Sequence, residues 1–382
     1  MNTRFTTNER QSAQDVQAVE WLTQLLHTAL ELRSSDIHLE PFDHVLRVRV
    51  RRDGVLYEMP SPPPSLREQI ISRIKVQSRL DIAEKRLPQD GRMQFSLNAR
   101  TVDMRVSSLP TLHGEKIVLR ILDLHSHQLG FEALGMPHKE HQQLLEAINK
   151  PNGMVLITGP TGSGKTQTLY TCLNHLNTPG VNIATVEDPS EIVLAGANQV
   201  NVNDRIGLTF DTALRALLRQ DPDILMVGEI RDLATADIAV KASQTGHLVL
   251  STLHTNDAPS TLTRLNHMGI AGFNLASSVV LICAQRLLRR LCSFCKQAQP
   301  DGAGFSAVGC GKCLNGYQGR VAIHQVMPVT EDLQTLILAQ ASAQELAARA
   351  TQDGVRTLRE AGMQKVTSGE TTLQEVLAAT HG

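Results

Sequence analysis

Residues Gly159-Pro160-Thr161-Gly162-Ser163-Gly164-Lys165-Thr166 set three glycines ahead of a lysine and a hydroxyl. Glycine lets a backbone curl so closely that successive N–H groups converge on one anion. An apolar, strand-like run (154–158) precedes the pattern, and a segment with helical spacing follows it. This is the setting that the phosphate-cradling pattern G-x-x-x-x-G-K-[ST] requires, with the positive end of a helix aimed at the anion. In it Lys165 reaches the β- and γ-phosphates, the Thr166 hydroxyl ligates Mg2+, and Gln167 extends the nucleotide-binding segment. No N-K-x-D guanine-reading segment occurs, so ATP is the expected nucleotide.

Two further strand-like runs end in acids. Residues 223–227 lead to Gly228 and Glu229, then Arg231 and Asp232; residues 183–186 lead to Glu187-Asp188-Pro189-Ser190-Glu191. Where many phosphate-loop enzymes carry an Mg2+-binding Asp, Gly228 stands, which leaves Glu229 as the acid at that strand tip. Carboxylates at the carboxyl ends of parallel strands sit where ligands bind in open sheets. One of Glu187 and Glu229 is expected to polarise the attacking water, and the other to help hold Mg2+. Glu191 and Asp232 are either part of this set or solvated, ion-paired acids. His247 and His254 bracket the apolar run 248–253; a histidine beside a core strand is commonly a satisfied polar residue.

Cys292-Ser-Phe-Cys295 and Cys310-Gly-Lys-Cys313 form two C-x2-C knuckles. Each can place two thiolates on one cation, and closing the intervening loop completes a tetrahedral four-cysteine site for Zn2+. Gly309 and Gly311 are expected to turn the second knuckle. No fourth position is left open, so the zinc is structural; a redox disulfide is the alternative. Cys172 and Cys283 stand alone in what read as helical patterns and are expected to be buried apolar side chains.

These residues need elements to hold them. Strand candidates at 154–158, 183–186, 224–227 and 247–252 alternate with helices at 165–177, 209–219 and 233–243. Such alternation predicts an α/β domain, a mostly parallel sheet covered by helices, over 138–330, with the zinc insert at 290–316. A smaller α+β domain is expected at 15–123. It comprises a helix at 15–33, a hairpin turned by Asp53-Gly54, a helix at 65–80, a second hairpin around Asn98-Ala99-Arg100, and a strand at 116–122. Residues 1–14 read as a disordered terminus, 124–137 as a linker, and 331–382 as a helical subdomain with helices at 331–350, 356–368 and 372–379.

The 382 residues, 41% apolar and 20% charged with a formal net charge of −1, describe an ordinary globular chain. No apolar stretch approaches the roughly 18–20 residues that span a bilayer, and the polar start carries no signal-peptide core. The chain is therefore expected to be cytoplasmic, without direct membrane insertion.

In order and approximate spacing, Gly159–Thr166, Thr185-Val-Glu-Asp-Pro-Ser-Glu191, Val227-Gly-Glu-Ile-Arg-Asp232 and Thr245–Thr255 resemble four boxes of a known family. These are the Walker A, aspartate-box, Walker B and histidine-box segments of the type II secretion and type IV pilus assembly ATPases. The resemblance extends from about residue 15 to residue 380. It implies a RecA-like ATPase domain, a catalytic role for His254, and Arg105 and Arg120 as arginines that reach the nucleotide. It also implies a subunit-contact role for Arg215 and Arg219. It further implies a homo-hexameric ring that hydrolyses ATP and acts through an inner-membrane platform protein, to which the ring is recruited peripherally. Extension-type members carry the cysteine insert and retraction motors generally lack it, so pilus assembly is favoured over retraction. Many relatives carry a further N-terminal docking domain, and this chain starts almost at the second domain.

Within the family, residues 182–186, 199–203 and 273–287 look closer to pilus-assembly than to secretion members; a type II secretion pseudopilus ATPase is the alternative. A nucleic-acid translocase is a different class, suggested by the basic run Arg286, Arg289, Arg290 and Lys296. Eight Phe, three Tyr and one Trp are poor material for a base-stacking platform, so nucleic acid is not the expected partner. A nucleotide-binding scaffold without turnover is opposed by Lys165, Thr166 and Glu229.

Overall fold

The computed structural model describes residues 4–97, 100–122, 129–300, 302 and 304–380. Two compact units divide between residues 126 and 127. The first contains helix α1 (Arg4–Glu31), strands β1 (Asp36–Pro41), β2 (Leu46–Arg52) and β3 (Val55–Met59), helix α2 (Arg67–Gln77), and strands β4 (Gln89–Leu97), β5 (Arg100–Thr111) and β6 (Gly114–Leu122). Its six strands form one sheet in the order β3-β2-β1-β6-β5-β4, antiparallel throughout. Side chains alternate between faces: Leu39, Val48, Val50, Met104 and Leu119 share a core with Leu22, Leu26, Ile70 and Ile74 of the helices.

Helix α1 takes in residues 4–14, which composition read as disordered. No glycine or proline interrupts that stretch. Once Leu22, Leu25 and Leu26 anchor the helix, each further residue adds a hydrogen bond at little cost. Strand β1, which the patterning did not single out, pairs with β2 and β6 near the middle of the sheet. The turn at Asn98-Ala99 lies outside the described residues.

The second unit runs α3 (Phe131–Leu134), α4 (His138–Ile148), β7 (Gly153–Thr158), α5 (Lys165–Leu176), β8 (Ile183–Glu187), β9 (Ala197–Asn201), α6 (Phe210–Leu217), β10 (Ile224–Val227), α7 (Leu233–Gln244), β11 (Leu248–Leu253), α8 (Ala258–His267), α9 (Gly272–Ser278) and β12 (Val279–Leu291). It continues with β13 (Gln297–Ala298), β14 (Phe305–Ser306), β15 (Tyr317–Pro328), α10 (Glu331–Leu338), α11 (Ala343–Gln352), α12 (Leu358–Thr367) and α13 (Leu373–Ala379). Seven strands order as β15-β12-β7-β11-β10-β8-β9, parallel except for the β12/β15 pair. Both faces are covered: Met154 and Leu156 of β7 enter one core and Val155 and Ile157 the other. Two-sided burial is why these strands read as continuous apolar runs.

Four expectations are corrected here. Cys283 lies on β12, not in a helix; a strand buried on both faces lacks the alternation that would reveal it. Residues 129–136 are not linker: Leu129, Phe131 and Met136 pack on the core of the second unit, while 123–128 lie outside the described residues. The helix expected at 331–350 is two, because Ser342 and Glu345 form a capping box that starts α11 afresh after Gln340 at φ 55°. The C-terminal helices form no separate subdomain, since Leu333, Ile337, Leu346, Val366 and Val376 share the core of the large sheet.

Candidate nucleotide site

Strand β7 ends at Thr158, and the chain turns through Gly159 (φ 147°), Gly162 (φ 79°) and Gly164 (φ 89°) before α5 opens at Lys165. A β-carbon on Gly159 would lie 2.5 Å from the Gln285 carbonyl oxygen and 2.7 Å from Ser163 Oγ. The loop therefore closes only with glycine there. The Lys165 side chain is 8% exposed, and its ammonium donates to the carbonyls of Gly159 (2.7 Å) and Pro160 (3.1 Å). Burial lowers its pKa to about 8, opposed by the charge of Glu229 and reinforced by that of Arg286. Ser163 Oγ is buried with no hydrogen-bond partner among the described residues. A tight glycine cradle, a buried cation and a spare hydroxyl fit a phosphate chain. Thr166 follows Lys165 on the first turn of α5, where it would hold Mg2+, and Gln167 follows Thr166.

The parallel strands bring the acids to the same edge. Glu229 follows β10, with Gly228 lying against Glu187 at the end of β8. One Glu229 oxygen accepts from Arg231, and the other lies 3.4 Å from His254 Nε2. Arg231 is also 3.7 Å from Asp188. Glu187 is 5% exposed; it accepts from the hydroxyls of Thr185 (2.6 Å) and Tyr170 (2.6 Å) and from Gln199 Nε2 (3.1 Å).

Of the undecided residues, Asp232 is the N-cap of α7 and accepts from the Thr235 amide at 2.8 Å, a structural duty. His247 precedes β11 at the opposite end from His254 and meets the Ala242 carbonyl through Nδ1 at 3.0 Å. Glu191 acts on Lys165 through its charge.

Three members of the basic run find their partners inside the unit. Arg286, 8% exposed, donates to the Asn256 carbonyl at 2.6 Å and so ties β12 to the loop after His254. Arg289 pairs with Glu375 at 2.6 Å and lies over the Tyr317 ring, and Lys296 donates to the Gly369 carbonyl at 2.7 Å. Sequence reasoning missed Gln285, whose Oε1 accepts from Thr168 at 2.7 Å beneath the phosphate loop. It also missed the Glu187 partners Tyr170 and Gln199 as site residues. Gln285 and Gln199 lie on strands and Tyr170 on a helix, and a polar group at a buried or half-buried position was the available signal.

Arg105 and Arg120 belong to the first unit. They face each other on β5 and β6, with Arg92 opposite Arg105 on β4. Arg120 Nε donates to Asp36 Oδ1 of β1 at 3.1 Å. Arg215 is exposed on α6, and Arg219 just beyond that helix donates to the Arg215 carbonyl at 2.8 Å.

The four knuckle cysteines converge between β12 and β15, their sulfurs all within 4.8 Å of one another. The separations Cys292–Cys310, Cys295–Cys313 and Cys310–Cys313 are 3.9, 3.7 and 3.7 Å. A tetrahedron with Zn–S bonds of about 2.3 Å has edges of about 3.8 Å, so the sulfurs fit Zn2+. Gly309 (φ 107°) and Gly316 (φ 84°) turn the second knuckle. Gly311, expected to share that task, has open space at its β position and no positive φ.

Residues 11–378 match the protein family described as "Type II/IV secretion system protein". The chain is 53% identical to the type IV pilus assembly ATPase PilB of Acinetobacter baylyi over 378 residues, 94% of this chain and 65% of that protein. It is 50% identical to the type II secretion system protein HxcR of Pseudomonas aeruginosa over 363 residues, covering 95% of this chain and 77% of that one. Among solved structures, the pilus retraction motor PilT with bound ADP superposes with a TM-score of 0.66 at 26% identity, over 94% of this chain and 97% of PilT. The fold is accordingly RecA-like α/β, preceded by a smaller α+β unit. The chain belongs to the type II/IV secretion system protein family.

Proposed function

We propose that the chain is a Mg2+-dependent ATP hydrolase that powers extension of a type IV pilus. It works as a homo-hexamer in the cytoplasm, recruited to the inner membrane by a platform protein. The observation that carries the chemistry is the convergence, at one edge of one sheet, of the glycine cradle with Lys165, the Glu229–His254 pair and Glu187. In this reading the loop from Gly159 to Thr166 binds the phosphates, with Gln167 beside it. Lys165 stabilises the charge that develops on the transferring phosphoryl group. Glu229, with His254 beside it, polarises the attacking water, and Thr166 and Glu187 hold Mg2+. When bound, Mg2+ would neutralise phosphate charge. Arg105 and Arg120 add guanidinium charge to the phosphates during turnover, and Arg215 and Arg219 serve the contact between subunits. The cluster of Cys292, Cys295, Cys310 and Cys313 holds a structural Zn2+.

Peripheral recruitment is in keeping with the described helices, none of which is long and apolar enough to cross a membrane. Pilus assembly is favoured by the 53% identity to a pilus assembly ATPase. The 50% identity to a type II secretion protein supports a pseudopilus motor as the second reading. The two part in a complementation experiment. In a host lacking its pilus-assembly ATPase, the chain is expected to restore surface pili. In a host lacking its secretion ATPase, it is expected to leave enzyme release unrestored. The opposite pattern would transfer the chain to secretion.

A further inference from the structure

Glu187 is held by side chains from three elements, and two of them have no packing reason to be polar. Tyr170, on α5 five residues beyond Lys165, is 0% exposed. Its hydroxyl donates to Glu187 Oε2 at 2.6 Å and accepts from Gln199 Nε2 at 2.8 Å. A phenylalanine would fill the same space among Leu169, Cys172 and Leu173 without a hydroxyl to desolvate, so the hydroxyl is present for its bonds. Burial first, and then the Glu187 carboxylate, push the phenol above its ordinary pKa, which keeps it a donor.

Gln199, on β9, directs every polar atom at the same stretch of chain. Its Nε2 hydrogens are shared among Tyr170, Glu187 Oε1 (3.1 Å) and the Ile192 carbonyl (2.9 Å), while its Oε1 accepts from the Leu194 amide at 2.8 Å. The segment from Glu187 to Leu194, which carries Asp188 and Glu191, is thereby fastened at both ends to Gln199, and at its Glu187 end to Tyr170 of a helix whose first residues are Lys165 and Thr166.

We propose that Tyr170 and Gln199 form a latch that positions the Glu187–Leu194 segment against the phosphate-loop helix, fixing the Glu187 carboxylate in one orientation during turnover. Both are positioning residues that act through Glu187, and the proposal rests on Glu187 being an acid of the ATPase reaction. A buried, fully satisfied polar network of this kind specifies one arrangement, and removal of one member leaves the others short of a partner.

The test is steady-state ATP hydrolysis by the full chain with Mg2+, using Tyr170→Phe, Gln199→Met, Glu187→Gln and the double variant Tyr170→Phe/Glu187→Gln, with thermal melts to establish folding. Tyr170→Phe and Gln199→Met are each expected to lower kcat about tenfold, the scale of a hydrogen bond to a charged group, with KM for ATP within about twofold of wild type. The double variant is expected to be no slower than Glu187→Gln alone, because the latch acts through that carboxylate. Impaired Glu187→Gln beside unaffected Tyr170→Phe and Gln199→Met overturns the latch alone, as do losses that multiply in the double variant. An unaffected Glu187→Gln removes the acid from the reaction and the latch with it. If Tyr170→Phe does not fold, Gln199→Met, and its combination with Glu187→Gln, decide the matter by the same criteria.

Discussion

His254 Nε2 stands 3.4 Å from Glu229 Oε2, at the neighbouring carboxyl ends of the parallel strands β11 and β10. The register pairs Val227 with Ser251, so each functional side chain lies a few residues beyond the last paired position of its own strand. Glu229→Gln keeps the shape of the side chain and removes the negative charge that, in the proposed reaction, draws a proton from water. Turnover is expected to fall at least about a hundredfold, the usual scale for such acids, with nucleotide binding retained. Glu187→Gln is expected to do the same. Phosphate release and equilibrium nucleotide binding measure the two effects, and an unaffected variant would remove that acid from the catalytic set.

Lys165→Ala tests the cradle itself. Its ammonium is held by two carbonyls of the loop, so the substitution deletes the charge proposed to meet the phosphates without opening the apolar core. Turnover is expected to be lost while the thermal melt is preserved. Retention of more than about a tenth of wild-type kcat, a barrier change under about 1.4 kcal/mol, would withdraw the lysine from the chemistry.

Arg120 distinguishes a functional arginine from a surface one. Its partner Asp36 keeps Ser35 Oγ at 2.8 Å and Arg51 at 3.7 Å when the guanidinium is gone. The Arg120 side chain is 54% exposed, so Arg120→Ala is expected to cost at most about 1 kcal/mol of stability. Turnover is expected to fall further than nucleotide affinity. Wild-type kcat in Arg120→Ala would assign the residue to the Asp36 ion pair alone.

The phosphate loop was legible because its chemistry requires particular residues at fixed spacing, so Gly159, Gly164 and Lys165 announce themselves without a fold. The parallel sheet was legible for a related reason: strands buried on both faces alternate with helices of ordinary length. Strand β12 escaped because its apolar first half, buried on both faces, lacks strand alternation, and its second half carries Arg286, Arg289 and Arg290, the first two of which look like surface until the Asn256 carbonyl and Glu375 are brought to them from distant sequence. Tyr170 and Gln199 escaped for the same reason. Each is an unremarkable residue in its own element, and only the packing of α5 and β9 beside β8 turns the pair into partners of Glu187. Local pattern records what a residue is, and the long-range pairing of elements decides what it touches.

Zinc separates structure from chemistry most cleanly. Cys292 is 0% exposed and lies seven residues along the chain from Gln285, which touches the phosphate loop. At about 3.3 Å per residue along β12 the four-cysteine cluster is roughly 20 Å from the phosphate loop, too far for a cation held there to act on a bound phosphate directly. What it can do is close the connection between β12 and β15, whose pairing ends at Leu291 and Tyr317. Tyr317 in turn supports Arg289 and, through Thr372, the start of α13. Metal analysis is expected to find about one Zn2+ per chain, and chelation to lower the melting temperature, since metal binding contributes directly to folding. Cys310→Ser should lower the melting temperature while the ATPase rate of the protein that remains folded stays near wild type. Metal-free protein that melts at the wild-type temperature would show that the four thiols close this loop without a cation.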